Sequence, residues 1–244
     1  MKIRNAVIAG IAVALSSITL SSVAAPGNGG QVQGGGVEPE PFGRPVTHLG
    51  MTKSVTYQFV PAGSACDDPQ PDVCLVMSPS PTGTPFEFPN VTSIVIPAGS
   101  THSIVWPLFH HIVWYEFNND TGVSQIANFA FAIDLTLESA ALLDPTLINP
   151  DTGQPFNGSY LVQFSPAEAT DRSISAGEHV RQRRRLASSG NQFFDYQILQ
   201  SLGLPDKVIK QIFSGQITLH LGIRGNAKLV DTALGNVSMR LFGD

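Results

Sequence analysis

Ile126-Ala127-Asn128-Phe129-Ala130-Phe131-Ala132-Ile133-Asp134-Leu135-Thr136-Leu137 is the stretch that decides the fold class. From Phe129 onward the odd positions carry large apolar side chains and the even positions carry small or polar ones. Successive side chains of an extended chain point to opposite faces of its sheet, so this period-two pattern reads as a strand with one buried face. A run of this length is expected at the centre of a sheet, with Phe129 to Leu137 in the core.

Working outward, short runs rich in β-branched and aromatic residues recur at 54–60, 75–77, 91–96, 103–106, 111–117, 160–164, 216–223 and 236–242. Pro, Gly, Asn and Asp punctuate them, as at Pro61-Ala62-Gly63, Pro97-Ala98-Gly99 and Asn118 to Gly122. Many short strands between turn signals, with few helices, predict an all-β, mainly antiparallel β-sandwich or jelly-roll. One region departs from this: between Asn191 and Ser214, Phe194, Ile198, Leu202, Val208, Ile209, Ile212 and Phe213 stand at three-and-four spacing. Gly203 and Pro205 divide it, Pro205 suits the first position of a second helix and Gly215 its C-terminal cap, so two short helices are expected over 191–214.

The chain opens with Lys2 and Arg4, runs through apolar residues from Ala6 to about Leu20, and reaches Val23-Ala24-Ala25 before Pro26. Charge, apolar run and small-residue site in that order make residues 1–25 an expected secretory signal, too short for a comfortable membrane span. Residues 26–45 are Gly- and Pro-rich and read as a flexible tether, and 46–244 as one sandwich domain. No later stretch is long and apolar enough for a transmembrane segment. The expected localisation is therefore secreted or periplasmic.

Cys66 and Cys74 bracket a turn-rich loop, Asp67-Asp68-Pro69-Gln70-Pro71-Asp72-Val73, and in an exported chain they are expected to form a disulfide. The 244 residues carry a formal net charge of −5 with 14 % charged residues. That balance argues against general nucleic-acid binding, which needs a basic face to replace counterions on phosphates.

Chemistry-bearing motifs are few. Asp120-Thr121-Gly122 and Asp151-Thr152-Gly153 have the triplet form of aspartic proteases, yet each follows an Asn-rich segment rather than an apolar strand and reads as a turn. His102, His110 and His111 lack the His-x-His spacing of a strand-borne metal site, and the last two should face opposite ways. Asp67, Asp68 and Asp72, or Asn118, Asn119 and Asp120, offer hard oxygen atoms for calcium but match no helix-loop-helix pattern. There is no Gly-x-Ser-x-Gly elbow or Walker-type phosphate loop. No cofactor or metal is expected.

The least ordinary segment is Glu178-His179-Val180-Arg181-Gln182-Arg183-Arg184-Arg185-Leu186. If extended, it aligns His179, Arg181, Arg183 and Arg185 on one face at roughly 6.5–7 Å intervals. Guanidinium forks so placed suit phosphates, sulfates or carboxylates. Competing readings are an edge strand charged against edge-to-edge pairing, a loop open to trypsin-like cleavage, and internal pairing with the excess acids.

Together these features point to an exported, non-enzymatic sandwich protein with a structural, surface or extracellular-matrix role, acting through protein or anionic-glycan contacts, with self-association as a variant. The alternatives are a secreted hydrolase of polysaccharides or esters, for which Glu116, Asp134, Glu138, Asp195 and the histidines are the residues to inspect, and an apolar-ligand carrier lined by Trp114, Phe129, Phe131, Phe193 and Phe194.

Overall fold

The computed structural model describes residues 47–67, 71–77, 81–102, 104–162, 167–188 and 194–244. The expected signal (1–25) and tether (26–45) lie outside them, as do Asp68, Phe193 and the start of the helical region. The first strands are β1 (Thr47–Met51), β2 (Val55–Pro61), β3 (Val73–Met77), β4 (Thr84–Ile96), β5 (Ile104–Asn118) and β6 (Gln125–Glu138). After a 3-10 turn (Ala140–Leu142) come β7 (Ser159–Val162), β8 (Ala167–Ile174), β9 (His179–Ser188) and β10 (Phe194–Asp195). Helices α1 (Tyr196–Ser201) and α2 (Asp206–Ser214) precede β11 (Ile217–Lys228) and β12 (Val230–Gly243).

Eight of these strands form two facing sheets in the orders β2-β12-β5-β9 and β4-β11-β6-β8. Along the chain, β2 to β4, β4 to β5, β5 to β6, β8 to β9 and β11 to β12 each pass from one sheet to the other, which is the four-plus-four winding of a jelly-roll. The short strands extend this frame: β1 continues β2's side of β12, β10 continues β9's side of β5, β7 continues β8's side of β6, and β3 adds a parallel edge to β2. The passage from β11 to β12 takes one residue, Leu229, whose φ of 57° turns the chain while its side chain stays buried.

The decisive stretch behaves as its alternation requires. Ala127, Phe129, Phe131, Ile133, Leu135 and Leu137 are all buried on the inner face of β6, which lies between β11 on one side and β7 and β8 on the other. Phe129 meets Tyr115 with ring centroids 4.5 Å apart, and Phe59 meets Phe86 at 4.9 Å, so the two sheets interlock through aromatic contacts.

Several expected boundaries need correction. Residues 104–106 of the first run and the whole run 111–117 belong to one strand, β5, in spite of Pro107. Pro107 falls where β5 has no partner on the β9 and β10 side among the described residues, so a missing N–H costs that ladder little. Strand β4 starts seven residues before the run at 91–96, and β8 and β1 carry too few large apolar groups to be seen as strands. The two helices form as expected and bury Leu199, Ile209, Ile212 and Phe213, but Pro205 is the N-cap of α2, one position earlier than its helix-starting role would have it.

The expected disulfide joins Cys66 to Cys74. Its loop is tied back to β2, because the Asp67 amide donates to Gln58 Oε1 at 2.8 Å and Asp72 accepts from the Thr56 amide at 2.9 Å and from Lys53 Nζ at 2.6 Å. The Lys53 contact, with the Thr56 amide after it, holds the Asp72 carboxyl below its usual range. Closing so short a loop is worth about 2–3 kcal/mol on the chain-entropy model. Cys74→Ser is expected to lower the urea-denaturation free energy by that amount, and amide exchange should quicken first in β3; an unchanged midpoint would show that the loop is ordered without the bridge.

One polar pair is sealed in the core. His111 is 1 % exposed, with Nε2 within hydrogen-bond distance of the Tyr57 hydroxyl and its ring edge-on to Phe131 at 4.2 Å. Its Nδ1 has no partner among the described residues. Burial, with a smaller contribution from His110, brings the His111 pKa down to about 4, so the imidazole is neutral in the fold. An unfolded chain would take a proton near pH 6.5, so this group's stabilisation is complete above that pH and is lost as pH falls toward 4. The loss should reach roughly 3 kcal/mol, read as a falling urea midpoint between pH 7 and pH 4. In His111→Phe the slope over that window should flatten; an equally steep slope would assign it to carboxylates instead.

Candidate functional site

Strand β9 is extended, as the arginine-stripe reading requires, and it pairs with β5 from Asn118↔His179 to Phe109↔Ser188. Its even and odd positions therefore face opposite ways. His179, Arg181, Arg183 and Arg185 are exposed on the outward side, so the four residues singled out from sequence share one face.

That face continues across the sheet in register. One row runs Arg183, Trp114, Leu234, Gln58; the next, toward one end, runs Arg185, Ile112, Asn236, Thr56; on the other flank stand Arg181, Glu116 and Thr232. Trp114 is 43 % exposed and Leu234 45 %, an unusual amount for large apolar side chains on the two central strands. The Arg183 guanidinium carbon lies 5.1 Å from the Trp114 ring centroid, a cation–π contact. A shallow depression of about 300 Å³ opens here, lined by Gln58, Trp114, Glu116, Arg181, Thr232 and Leu234 among others.

Charge along the stripe is partly matched. Arg181 Nε donates to Glu116 Oε2 at 2.7 Å, and His179 Nδ1 lies 3.7 Å from Glu116 Oε1. The hydrogen bond to Glu116 raises the Arg181 pKa further. Arg185 has no acidic partner among the described residues, since its cross-strand neighbour is Ile112. Arg184 points the other way, toward the second sheet, where it reaches Glu168 Oε1 at 3.3 Å and Thr170 Oγ1 at 3.2 Å on β8. It ties the free margins of the two sheets together, so internal pairing holds for Arg181 and Arg184 but not along the whole stripe.

The four carboxylates named for hydrolysis stand apart from one another, and one of them, Glu138, meets a histidine. Glu116 is held by Arg181; Asp134 pairs with Arg224 at 2.9 Å; Glu138 pairs with His220 at 2.7 Å; Asp195 caps α1 by accepting from the Ile198 amide. Glu138 lines a depression of about 860 Å³ beside α2, with polar Ser139, Asp144 and Gln211 and apolar Ala140, Ala141 and Leu143. Asp120 and Asp151 sit in turns at opposite ends of β6, about 40 Å apart by the rise of a strand that long, too far to share a proton. Asn119, wholly buried, organises the first turn by donating to the carbonyls of Val123, Ile174 and Ser175, and so serves the fold rather than a calcium ion.

His110 faces outward and His111 inward, and His102 binds the Asp244 side chain through its backbone amide at 3.1 Å. Among the described residues no three of His, Cys, Asp and Glu gather to hold a metal ion. No helix among them is long and apolar enough to cross a membrane.

Trp114 is a correction to the apolar-carrier reading: it stands on the outer surface, while Phe129, Phe131 and Phe194 are packed in the core. Its orientation was readable from Glu116, which has the same parity in the strand and marks the solvent side.

No protein-family model and no curated protein matches the chain. Three solved structures of infectious bursal disease virus proteins share slight likeness. One of the Gx strain has 13 % identity over 81 % of this chain, with a TM-score of 0.23. A VP2 subviral particle has 15 % over 79 %, with 0.23, and a mutant VP2 in T=1 particles 12 % over 79 %, with 0.24. This chain spans about a third of their length, 31–32 %. Likeness that slight says nothing of this protein's assembly or activity.

Proposed function

We propose that the protein is an exported, non-enzymatic jelly-roll with a structural or surface role, and that it contacts an anionic glycan through the outward face of β9. The observation that carries the reading is the alignment of Arg181, Arg183 and Arg185 on one exposed, ordered strand face in a chain of net charge −5, with Arg185 unmatched by an acid among the described residues. Export is supported by the leader-like order of charge, apolar run and small residues over 1–25, and by the Cys66–Cys74 disulfide, since such bonds persist in oxidising compartments. A non-enzymatic role is supported by the engagement of Glu116 and Asp134 with arginines, of Glu138 with His220 and of Asp195 in a helix cap, at separate places in the fold.

Self-association is a second reading favoured by one feature. Strand β4 runs for 13 residues at a sheet margin, and its half beyond Pro89 carries no proline to block a second strand. Light scattering on residues 26–244 decides it: a defined oligomer lost in Val95→Lys would support the β4 edge, and a monomer would end that reading.

For the glycan, titration of a uronic-acid polysaccharide is the test. Replacing Arg181, Arg183 and Arg185 together by Gln is expected to weaken binding at least tenfold and to flatten its dependence on salt between 50 and 200 mM, because exposed charge pairing is screened over a Debye length of about 10 Å. Equal affinity of the triple variant would remove the stripe from the function.

A further inference from the structure

We infer that the depression beside Trp114 is a saccharide-ring subsite, in which a pyranose of an acidic polysaccharide stacks on the indole while its carboxylate or sulfate meets the β9 arginines. This rests on the glycan reading above and specifies which chemistry the face selects.

Exposure at the centre of a sheet is the first observation. Trp114 and Leu234 are cross-strand partners on β5 and β12, each with over two-fifths of its surface in water. Together they make an apolar floor two strands wide, about 5 Å from strand to strand. A folded chain gains from covering such groups, and a flat ring with one apolar face fits a floor of that size. Arg183 lies over the indole from the β9 side, its guanidinium carbon 5.1 Å from the ring centroid, so a saccharide ring stacks there as this exposed side chain swings off the indole onto the ligand's carboxylate or sulfate.

The rim supplies polar groups of both kinds. Thr232 and Asn236 flank Leu234 along β12, Arg181 and Arg185 flank Arg183 along β9, and Glu116 stands beside Trp114 on β5. Glu116 decides between ligand classes. Its Oε2 is taken by Arg181, and the acceptor capacity left on the carboxylate finds no donor in a polyphosphate or a DNA backbone. A polysaccharide offers hydroxyl donors to Glu116 as well as acidic groups to Arg183 and Arg185. Gln58 borders the site but is committed to Asp67, donating from Nε2 at 2.9 Å, so the disulfide loop fixes the wall on that side.

The full mature chain, 26–244, should be titrated with polygalacturonate, with polyphosphate and with single-stranded oligothymidylate. The expected result is tightest binding of polygalacturonate, a loss of at least tenfold in Trp114→Ala, partial recovery in Trp114→Phe, and a binding-induced shift in tryptophan fluorescence that Trp114→Phe abolishes. Trp114 is more than half covered, so Trp114→Ala is expected to lower the urea midpoint, while far-ultraviolet dichroism stays unchanged in both variants and Trp114→Phe keeps the midpoint near that of the parent. If all three polymers bind alike and Trp114→Ala is neutral, the subsite is refuted while an unspecific anion contact survives. If oligothymidylate binds best and depends on Trp114, the face stacks bases and the saccharide assignment is overturned. If none of them binds even at 50 mM salt, the glycan reading and the subsite fall together.

Discussion

The antiparallel pairing of β5 with β12, from Val105↔Gly243 to Phe117↔Val230, is the constraint on which the rest of the molecule depends. It forms the middle of one sheet, and because strand residues alternate, it fixes both faces at once. Inward it delivers Val113, Tyr115, Phe117, Val237 and Met239 to the core; outward it sets Trp114 beside Leu234 and Ile112 beside Asn236. A slip of one residue would exchange those sets, so the ladder that holds the fold also determines which side chains meet solvent.

The margins of the sandwich solve a different problem. A strand with one free side exposes unpaired backbone groups to other chains, and charge is a common defence. Strand β9 carries that charge on both faces, but uses it differently on each: the outward arginines lie over Trp114 and Glu116, and the inward Arg184 reaches β8 of the opposite sheet. Defence of the edge and recognition by the face are compatible, because they use alternate residues of the same strand.

Much of this was legible in the sequence where the pattern was local. Strand β6 announced itself by alternation, the helical pair by its spacing, and the disulfide by its loop. Strand β5 was read as two runs because Pro107 interrupts the residue pattern, whereas the gap between β10 and β9 that tolerates it is a property of the assembled sheet. Strand β8, Ala-Glu-Ala-Thr-Asp-Arg-Ser-Ile, has an edge position and so needs little apolar surface, which left it without a signal. The stripe itself was visible, but its setting was not: Arg183 and Trp114 meet across strands far apart in the chain, and no spacing rule links them.

The placement of β12 has a consequence for how the molecule can be made. This strand, from Val230 to Gly243, lies between β5 on one side and β2 and β1 on the other, and Thr52 donates from its amide to Met239 across 187 residues of sequence. While the chain emerges from a ribosome or a translocation pore, β2 and β5 are complete long before the strand that separates them exists. Until then β2 and β5 share no ladder, so the sheet that seats Tyr57, Phe59, Val113 and Tyr115 against the opposite one is incomplete, and the entropy of closing so large a loop falls due late and all at once. Assembly is therefore post-synthetic by geometry, and a chain that stops short of residue 230 is a client for chaperones and proteases rather than a smaller version of the protein.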